Sequence, residues 1–248
     1  MSSPSLYADL SQYYDLLCSS IDYSEQCEFA LRAHQVFGNG NKTCLDLACG
    51  SGALLQHLAR AGLTCTGVDL NQAMLAIAGQ RCPEATFLKQ NMTELALAKP
   101  VDLITCFLYS LHYCHPLNSL LNTLQKVHTH LNVGGLFCFD TVDKNSIAND
   151  AGHKHQWQNK QRIIEFQSRW FFSGEGDQLD LHIDICDRDG PKQCHYQEHH
   201  LMCAIDIATL QSALLTVGFA VQLFERDFQR LLPWQGKNGN LLVCATKL

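Results

Sequence analysis

The segment Leu45-Asp46-Leu47-Ala48-Cys49-Gly50-Ser51-Gly52 is where residue types and spacing point most directly to chemistry. An apolar strand pattern ends in Gly-x-Gly and runs into a helical pattern. The backbone there can approach a ligand closely and offer it helix N–H groups. A dinucleotide fingerprint needs a third small residue three positions after the second glycine, and Leu55 stands there instead. Asp46 argues the same way, because a carboxylate inside the turn repels a pyrophosphate and attracts an ammonium or a sulfonium. Asp69 closes the next strand pattern, 17 residues after Gly52. A carboxylate there can accept both hydroxyls of a ribose, and it can also serve the start of a helix at Asn71. Together these residues describe an adenosine pocket without phosphates.

The histidines call for separate weighing. His112, in Tyr109-Ser110-Leu111-His112-Tyr113, lies beyond the carboxyl end of a strand pattern, where open α/β sheets bind ligands. It is a candidate base and equally a candidate core histidine. His199 and His200 are adjacent on a strand pattern, so one faces inward and one outward. His128 and His130 are two apart on a helix and do not share a face. His153 and His155 can share a strand face but lack a third ligand, so no metal site is expected.

The elements that must position these groups alternate. Strand patterns at 43–48, 64–69, 85–88, 101–107 and 136–140 are interleaved with helical ones at 52–61, 71–81 and 117–131. That rhythm is α/β, a parallel sheet covered on both faces. It breaks at 153–204, where three strand patterns (162–172, 179–186, 194–202) separated by turn residues read as an antiparallel β insertion. Asp206 then caps a helix to about 216 and Gly218 ends it. Strands at 219–225 and 240–246 complete the sheet. Two helices, 8–17 and 23–37, precede the first strand within an N-terminal 1–40 segment.

Composition sets outer bounds. The chain is 46% hydrophobic and 17% charged, enough for a sizeable core within a single domain spanning 1–248. Eighteen basic against 24 acidic residues leave a net charge of −6 with no basic patch, which disfavours nucleic acid as a partner. The start lacks a signal-peptide pattern and the longest apolar run, 103–111, is too short for a membrane span. A cytoplasmic protein with no membrane partner is expected. Thirteen cysteines without a C-x-x-C pair suit a reducing compartment, where they are packing residues.

On Asp46, Gly50, Gly52 and Asp69 the sequence resembles the class I S-adenosylmethionine-dependent methyltransferases, closely over 43–140. The resemblance implies a Rossmann-like seven-stranded sheet of order 3-2-1-4-5-7-6, the seventh strand antiparallel, and S-adenosylmethionine as cofactor. It places Ala48 in the first cofactor motif, Leu70 and Met74 beside the adenine, Asn91 with Met92 after the third strand, and Phe107 near the methionine end. A Tyr13-Tyr14-Asp15 lid, the post-strand Tyr109 to Tyr113 segment and a β insertion with a His-His pair look like amino-sugar and amino-acid N-methyltransferases. That implies a small-molecule acceptor, with Tyr14, His112 and His199 as catalytic candidates. Tyr13, Tyr109, Tyr113, Asp140, Arg169, Trp170 and His200 are the acceptor-binding candidates, and Phe171 is expected in the insertion core. Asp140, Asp143 and Glu198 suit a cationic acceptor and Arg169 a carboxylate, so an amino acid would use both kinds. The 107–110 run, 140–144 with Asn149-Asp150, and Leu232-Pro233-Trp234-Gln235-Gly236 also resemble the ovothiol-biosynthesis methyltransferase module, which acts on the imidazole of 5-thiohistidine. Two other readings stand beside this one: an NAD(P)-dependent oxidoreductase, disfavoured by Leu55 and Asp46, and a non-catalytic S-adenosylmethionine-binding scaffold. The insertion could cap the site or pair with its copy in a homodimer.

Overall fold

Short strands that are apolar on both faces need cover from both sides, and the helices between them supply it. The computed structural model describes residues 11–248. In chain order it runs α1 (Ser11–Leu17), α2 (Tyr23–Phe37), β1 (Thr43–Leu47), α3 (Ala53–Arg60), β2 (Thr64–Asp69), α4 (Gln72–Arg81), β3 (Thr86–Lys89), β4 (Val101–Cys106), α5 (Leu117–Thr129) and β5 (Leu131–Val142). There follow β6 (Gly152–Gln158), β7 (Arg162–Phe172), β8 (Gln178–Asp189), β9 (Lys192–Cys203), α6 (Ile207–Val217), β10 (Phe219–Glu225) and β11 (Asn240–Lys247).

The main sheet has the order β3-β2-β1-β4-β5-β11-β10, with β11 antiparallel to both of its neighbours. This is the expected class I methyltransferase order, β10 and β11 being its sixth and seventh strands. Central β4 is buried at every position. One side of the sheet packs Leu120, Leu124 and Val127 of α5 and Leu210 and Leu214 of α6. The other packs Phe29, Ala30 and Ala33 of α2 and Leu54, Leu55 and Leu58 of α3. Each of the buried Phe, Leu and Val side chains contributes about 1.5–3 kcal/mol. Eleven of the thirteen cysteines are buried among them.

The insertion is a four-stranded antiparallel sheet, β6-β7-β8-β9, one strand more than the sequence pattern gave. The additional strand, β6, reads Gly-His-Lys-His-Gln-Trp-Gln and pairs only with β7. An edge strand exposed over most of its length carries no apolar alternation to betray it. Phe171, expected in the insertion core, is instead 44% exposed on the outer face of this sheet. The inner face, with Ile164, Phe166, Leu179, Ile183 and Ile185, packs against Tyr13 of α1.

Helix α1 is tied at both ends of its reach. Tyr13 donates to Asp187 Oδ2 at 2.6 Å, and Arg162 holds the same carboxylate at 2.6 Å. Asp15 accepts from Ser51 Oγ and from Arg81 Nη2, both at 2.6 Å. So α1 bridges the insertion and the glycine turn. The residues before 11 in the expected first helix lie outside the described residues.

Candidate active site

Between the carboxyl ends of β1, β2 and β4 and the inner face of the insertion lies an open cavity of about 1690 Å³. The chain reversals that build it require unusual backbone. Ala48 and Gly50 have φ of +54°, and Leu108 and Tyr109 have φ of +60° and +59°. A Cβ on Gly50 would only touch the Tyr14 ring, at 3.4 Å, so it is the positive φ that calls for glycine there. Gly52 serves another need: a Cβ there would lie 2.9 Å from the Ala78 Cβ, so its smallness lets α3 meet α4.

Ala48, Gly50, Asp69, Leu70, Asn91 and Met92 line one end of the cavity. Asp69 accepts from the Gly50 N–H at 2.9 Å and the Asn71 N–H at 2.8 Å, one on each oxygen. These bonds fix its carboxylate plane and leave a lone pair on each oxygen for a diol. Asn71 caps α4 through its own Oδ1, so Asp69 is not the cap itself. Burial raises the Asp69 pKa, against the lowering effect of those N–H groups. Leu70 is 64% exposed and forms an apolar rim. Asn91 Oδ1 accepts from the Thr93 N–H at 3.1 Å. Met74, expected beside the adenine, is buried under α4 and does not reach the cavity.

Asp46 and Phe107 lie deeper, at a small adjoining cavity of about 20 Å³ with Tyr14, Gln26 and Ser51. Asp46 accepts from Thr105 Oγ1 at 2.6 Å, and burial pushes its pKa up to about 7, with Asp69 adding to the rise. Gln26 Oε1 is buried without a hydrogen-bond partner among the described residues. A buried carboxylate beside an unsatisfied amide oxygen forms an acceptor-rich niche the size of one water or one ammonium group. Gln26 was missed from the sequence. Its signal is a polar residue on the stripe of α2 that otherwise carries Phe29, Ala30 and Ala33.

The opposite end of the cavity is lined by Tyr109, Tyr113, Arg169, Trp170, Glu198, His200 and Arg226. Tyr109 meets Trp170 edge to face at 4.8 Å, and the Arg226 guanidinium sits 5.1 Å from the Tyr109 ring centre. Asp140 does not face the cavity as an acceptor-binding group. It is fully buried, accepting from the Tyr109 N–H at 2.7 Å and Arg226 Nη2 at 3.3 Å. It positions Tyr109 and Arg226, and Arg226 is a second residue that sequence reasoning missed.

Three further expectations need correction. His112 is buried and absent from the cavity wall. Its Nδ1 lies 2.7 Å from the Cys203 carbonyl, while Nε2 lies 3.0 Å from Thr141 Oγ1 and accepts from the Val142 N–H at 3.3 Å. With both ring nitrogens committed and burial lowering its pKa, His112 is a structural strut. His199 is among the residues at the cavity wall, but its ring turns to the outer face, where it meets Asp180 at 2.6 Å, stacks on His182 at 4.8 Å and is half exposed. Tyr13 is committed to Asp187 within the insertion core and does not line the cavity. The Leu232 to Gly236 segment does not line it either. Trp234 Nε1 bonds the Asn238 carbonyl and the Gln235 N–H bonds Glu225, so the segment closes its own loop.

A family model described as a methyltransferase domain matches residues 44–135, the stretch that carries the cofactor end of this cavity. A putative methyltransferase of Geobacillus sp. (strain WCH70) is 27% identical over 92% of this chain and 94% of its own. A dTDP-3-amino-3,6-dideoxy-alpha-D-glucopyranose N,N-dimethyltransferase of Streptomyces fradiae is 29% identical over 86% of this chain and 85% of its own. In fold, the chain is similar to Streptomyces venezuelae DesVI, with a TM-score of 0.83 at 21% identity, covering 97% of this chain and 99% of that one. Residues 44–135 thus match a methyltransferase domain across the glycine turn, and the chain as a whole has the fold of solved S-adenosylmethionine-dependent methyltransferases.

Proposed function

We propose that the protein transfers the methyl group of S-adenosylmethionine to a nitrogen of a small polar metabolite, an amino acid derivative or an amino sugar. The residues at the cofactor end fit that cofactor. Asp69 would take the ribose hydroxyls, and Asp46 with Gln26 Oε1 would take the donors of the methionine ammonium. The unsatisfied Gln26 oxygen is the specific sign of fit, because a buried acceptor without a partner costs about 1–3 kcal/mol unless a ligand supplies the donor. When bound, the cofactor supplies an electrophilic methyl group. The chain's own task is to hold the acceptor in line with it and exclude water.

The acceptor reading rests on the far wall, which offers Glu198 and Arg226 to opposite charges and Tyr109 with Trp170 to an apolar face, while Arg169 shares the outer strand parity of Phe171. A zwitterion uses all of these, which favours an amino acid derivative such as 5-thiohistidine. The named activity of the Streptomyces fradiae relative supports an amino sugar as the second reading. The deciding experiment incubates the protein with methyl-labelled S-adenosylmethionine and, separately, 5-thiohistidine, histidine and a nucleotide-linked amino sugar. The expected result is one labelled product with the methyl on nitrogen. Label on oxygen or carbon, or on none of the three, would overturn the proposal.

A further inference from the structure

Residues i and i+2 of a strand share a face, so Glu198 and His200 of β9 both project from the inner side of the insertion. The 3₁₀ turn Ser110–Tyr113, which follows β4, brings Tyr113 to meet them. Tyr113 Oη lies 3.0 Å from His200 Nδ1, and His200 Nε2 lies 2.8 Å from Glu198 Oε2. The Tyr113 and His200 rings meet edge to face at 5.6 Å. The side chains of Glu198 and His200 are 9% and 11% exposed, yet all three residues line the cavity. Across β8 His200 pairs with Leu181, and Ile183 pairs with Glu198. Among the described residues, the titratable groups hydrogen-bonded to His200 are Tyr113 of the turn and Glu198 of β9.

The geometry points to a proton relay, Tyr113–His200–Glu198, that takes the proton the acceptor nitrogen must shed. This inference rests on the N-methylation reading. The hydrogen bonds sort themselves in one way. The carboxylate can only accept, so Nε2 carries the hydrogen and Nδ1 accepts from the Tyr113 hydroxyl. A protonated amine has no lone pair and cannot attack a methyl group. As its N–H bond breaks, the pair stays on nitrogen and the proton forms an O–H bond at Tyr113 Oη. Tyr113's former proton passes to His200 Nδ1, and the imidazolium so formed faces the Glu198 carboxylate. The nitrogen lone pair then forms the C–N bond while the C–S bond breaks with its pair going to sulfur. Tyr113 is the catalytic residue of the relay, the group that touches the acceptor. His200 and Glu198 act through it and are positioning residues. A base of this kind contributes about 10²–10⁴-fold to rate.

Two measurements test this. The first is ¹⁵N–¹H NMR of the His200 ring in the full chain, which needs no substrate. Hydrogen on Nε2 is expected near pH 8; hydrogen on Nδ1 would overturn the relay. The second compares pH–rate profiles of wild type, Tyr113→Phe, His200→Gln and Glu198→Gln, with binding of S-adenosylhomocysteine as the control for folding. Tyr113→Phe should lower kcat at least about tenfold at neutral pH, with the loss shrinking as alkaline pH deprotonates the acceptor unaided. Glu198→Gln should move the acid limb of kcat/KM, and His200→Gln should abolish it, with cofactor affinity kept. Variants that bind cofactor but keep the wild-type profile would overturn the relay. A wild type inactive on every amine would instead sink the N-methylation reading, and the NMR result would still decide the hydrogen-bond pattern.

Discussion

Two backbone N–H groups hold the Asp69 carboxylate still, the geometry on which its proposed role toward the ribose rests. Asp69→Ala should weaken S-adenosylhomocysteine binding by about 1.5–3 kcal/mol, the worth of hydrogen bonds to a charged acceptor, as read by calorimetry. Unchanged affinity would remove Asp69 from the site. Asp46 makes a second prediction. With its pKa near 7, it is protonated below that pH and offers no charge to an ammonium. Cofactor affinity should therefore rise with pH through about 6 to 8, with a proton released on binding, and the Asp46→Asn variant should lose that dependence. A pH-independent wild type would contradict this placement of the ammonium. His112 predicts the reverse of a catalytic residue. His112→Ala strands the partners of both ring nitrogens and should cost about 1–3 kcal/mol in thermal or denaturant unfolding. Turnover per folded molecule should stay within a few-fold of wild type. Its buried, neutral ring binds fewer protons than it would in the unfolded chain. Its contribution is therefore full above about pH 6.5 and falls as pH drops below that value.

Among the elements, α1 couples two parts of the molecule that the chain separates widely. Asp15 meets Ser51 and Arg81 at the glycine turn, and Tyr13 meets Asp187 and Arg162 in the insertion. The Asp15–Arg81 pair is partly exposed and so is worth at most about 1 kcal/mol to global stability. Asp15→Ala should leave the unfolding midpoint nearly unchanged. It should raise amide hydrogen exchange in Ser11–Leu17 and weaken S-adenosylhomocysteine binding, because Tyr14 rests on Gly50. Exchange in α1 equal to wild type would show that the pair does not hold the helix. This coupling was only partly legible in the sequence. The Tyr-Tyr-Asp run stood out, but neither Arg81 nor Asp187 carries any local sign that it faces α1. The main-sheet strands were legible because burial on both faces leaves continuous apolar runs, as in β4. Edge strand β6 was not, because it is exposed over most of its length and its composition is free to be polar. Parity on β9 correctly separates His199 from His200, but which one faces the cavity depends on the register with β8, a non-local property.

At the scale of the whole molecule, the cavity sits where the carboxyl ends of the parallel strands meet the inner face of the inserted sheet. The end proposed for the cofactor belongs to the seven-stranded sheet, and the end proposed for the acceptor belongs to the turn after β4, the insertion and the segment after β10. The grouping of Asp46, Gly50 and Asp69 at one end of the cavity was readable from the sequence because they owe their positions to local strand-to-helix turns. The acceptor end was misread at His112 and Asp140 because their roles are set by contacts with Cys203 and Arg226, distant in the chain. The central claim is that the cavity holds a sulfonium nucleoside between Asp69 and the Asp46–Gln26 niche. Its most direct test is calorimetric titration of wild type and Gln26→Leu with S-adenosylmethionine, S-adenosylhomocysteine and NAD. The account predicts one-to-one binding of both sulfur nucleosides, none of NAD, and weaker binding of both by the variant, since both ligands carry the ammonium. Binding of NAD in their place, or sulfur-nucleoside affinity indifferent to Gln26, would contradict it.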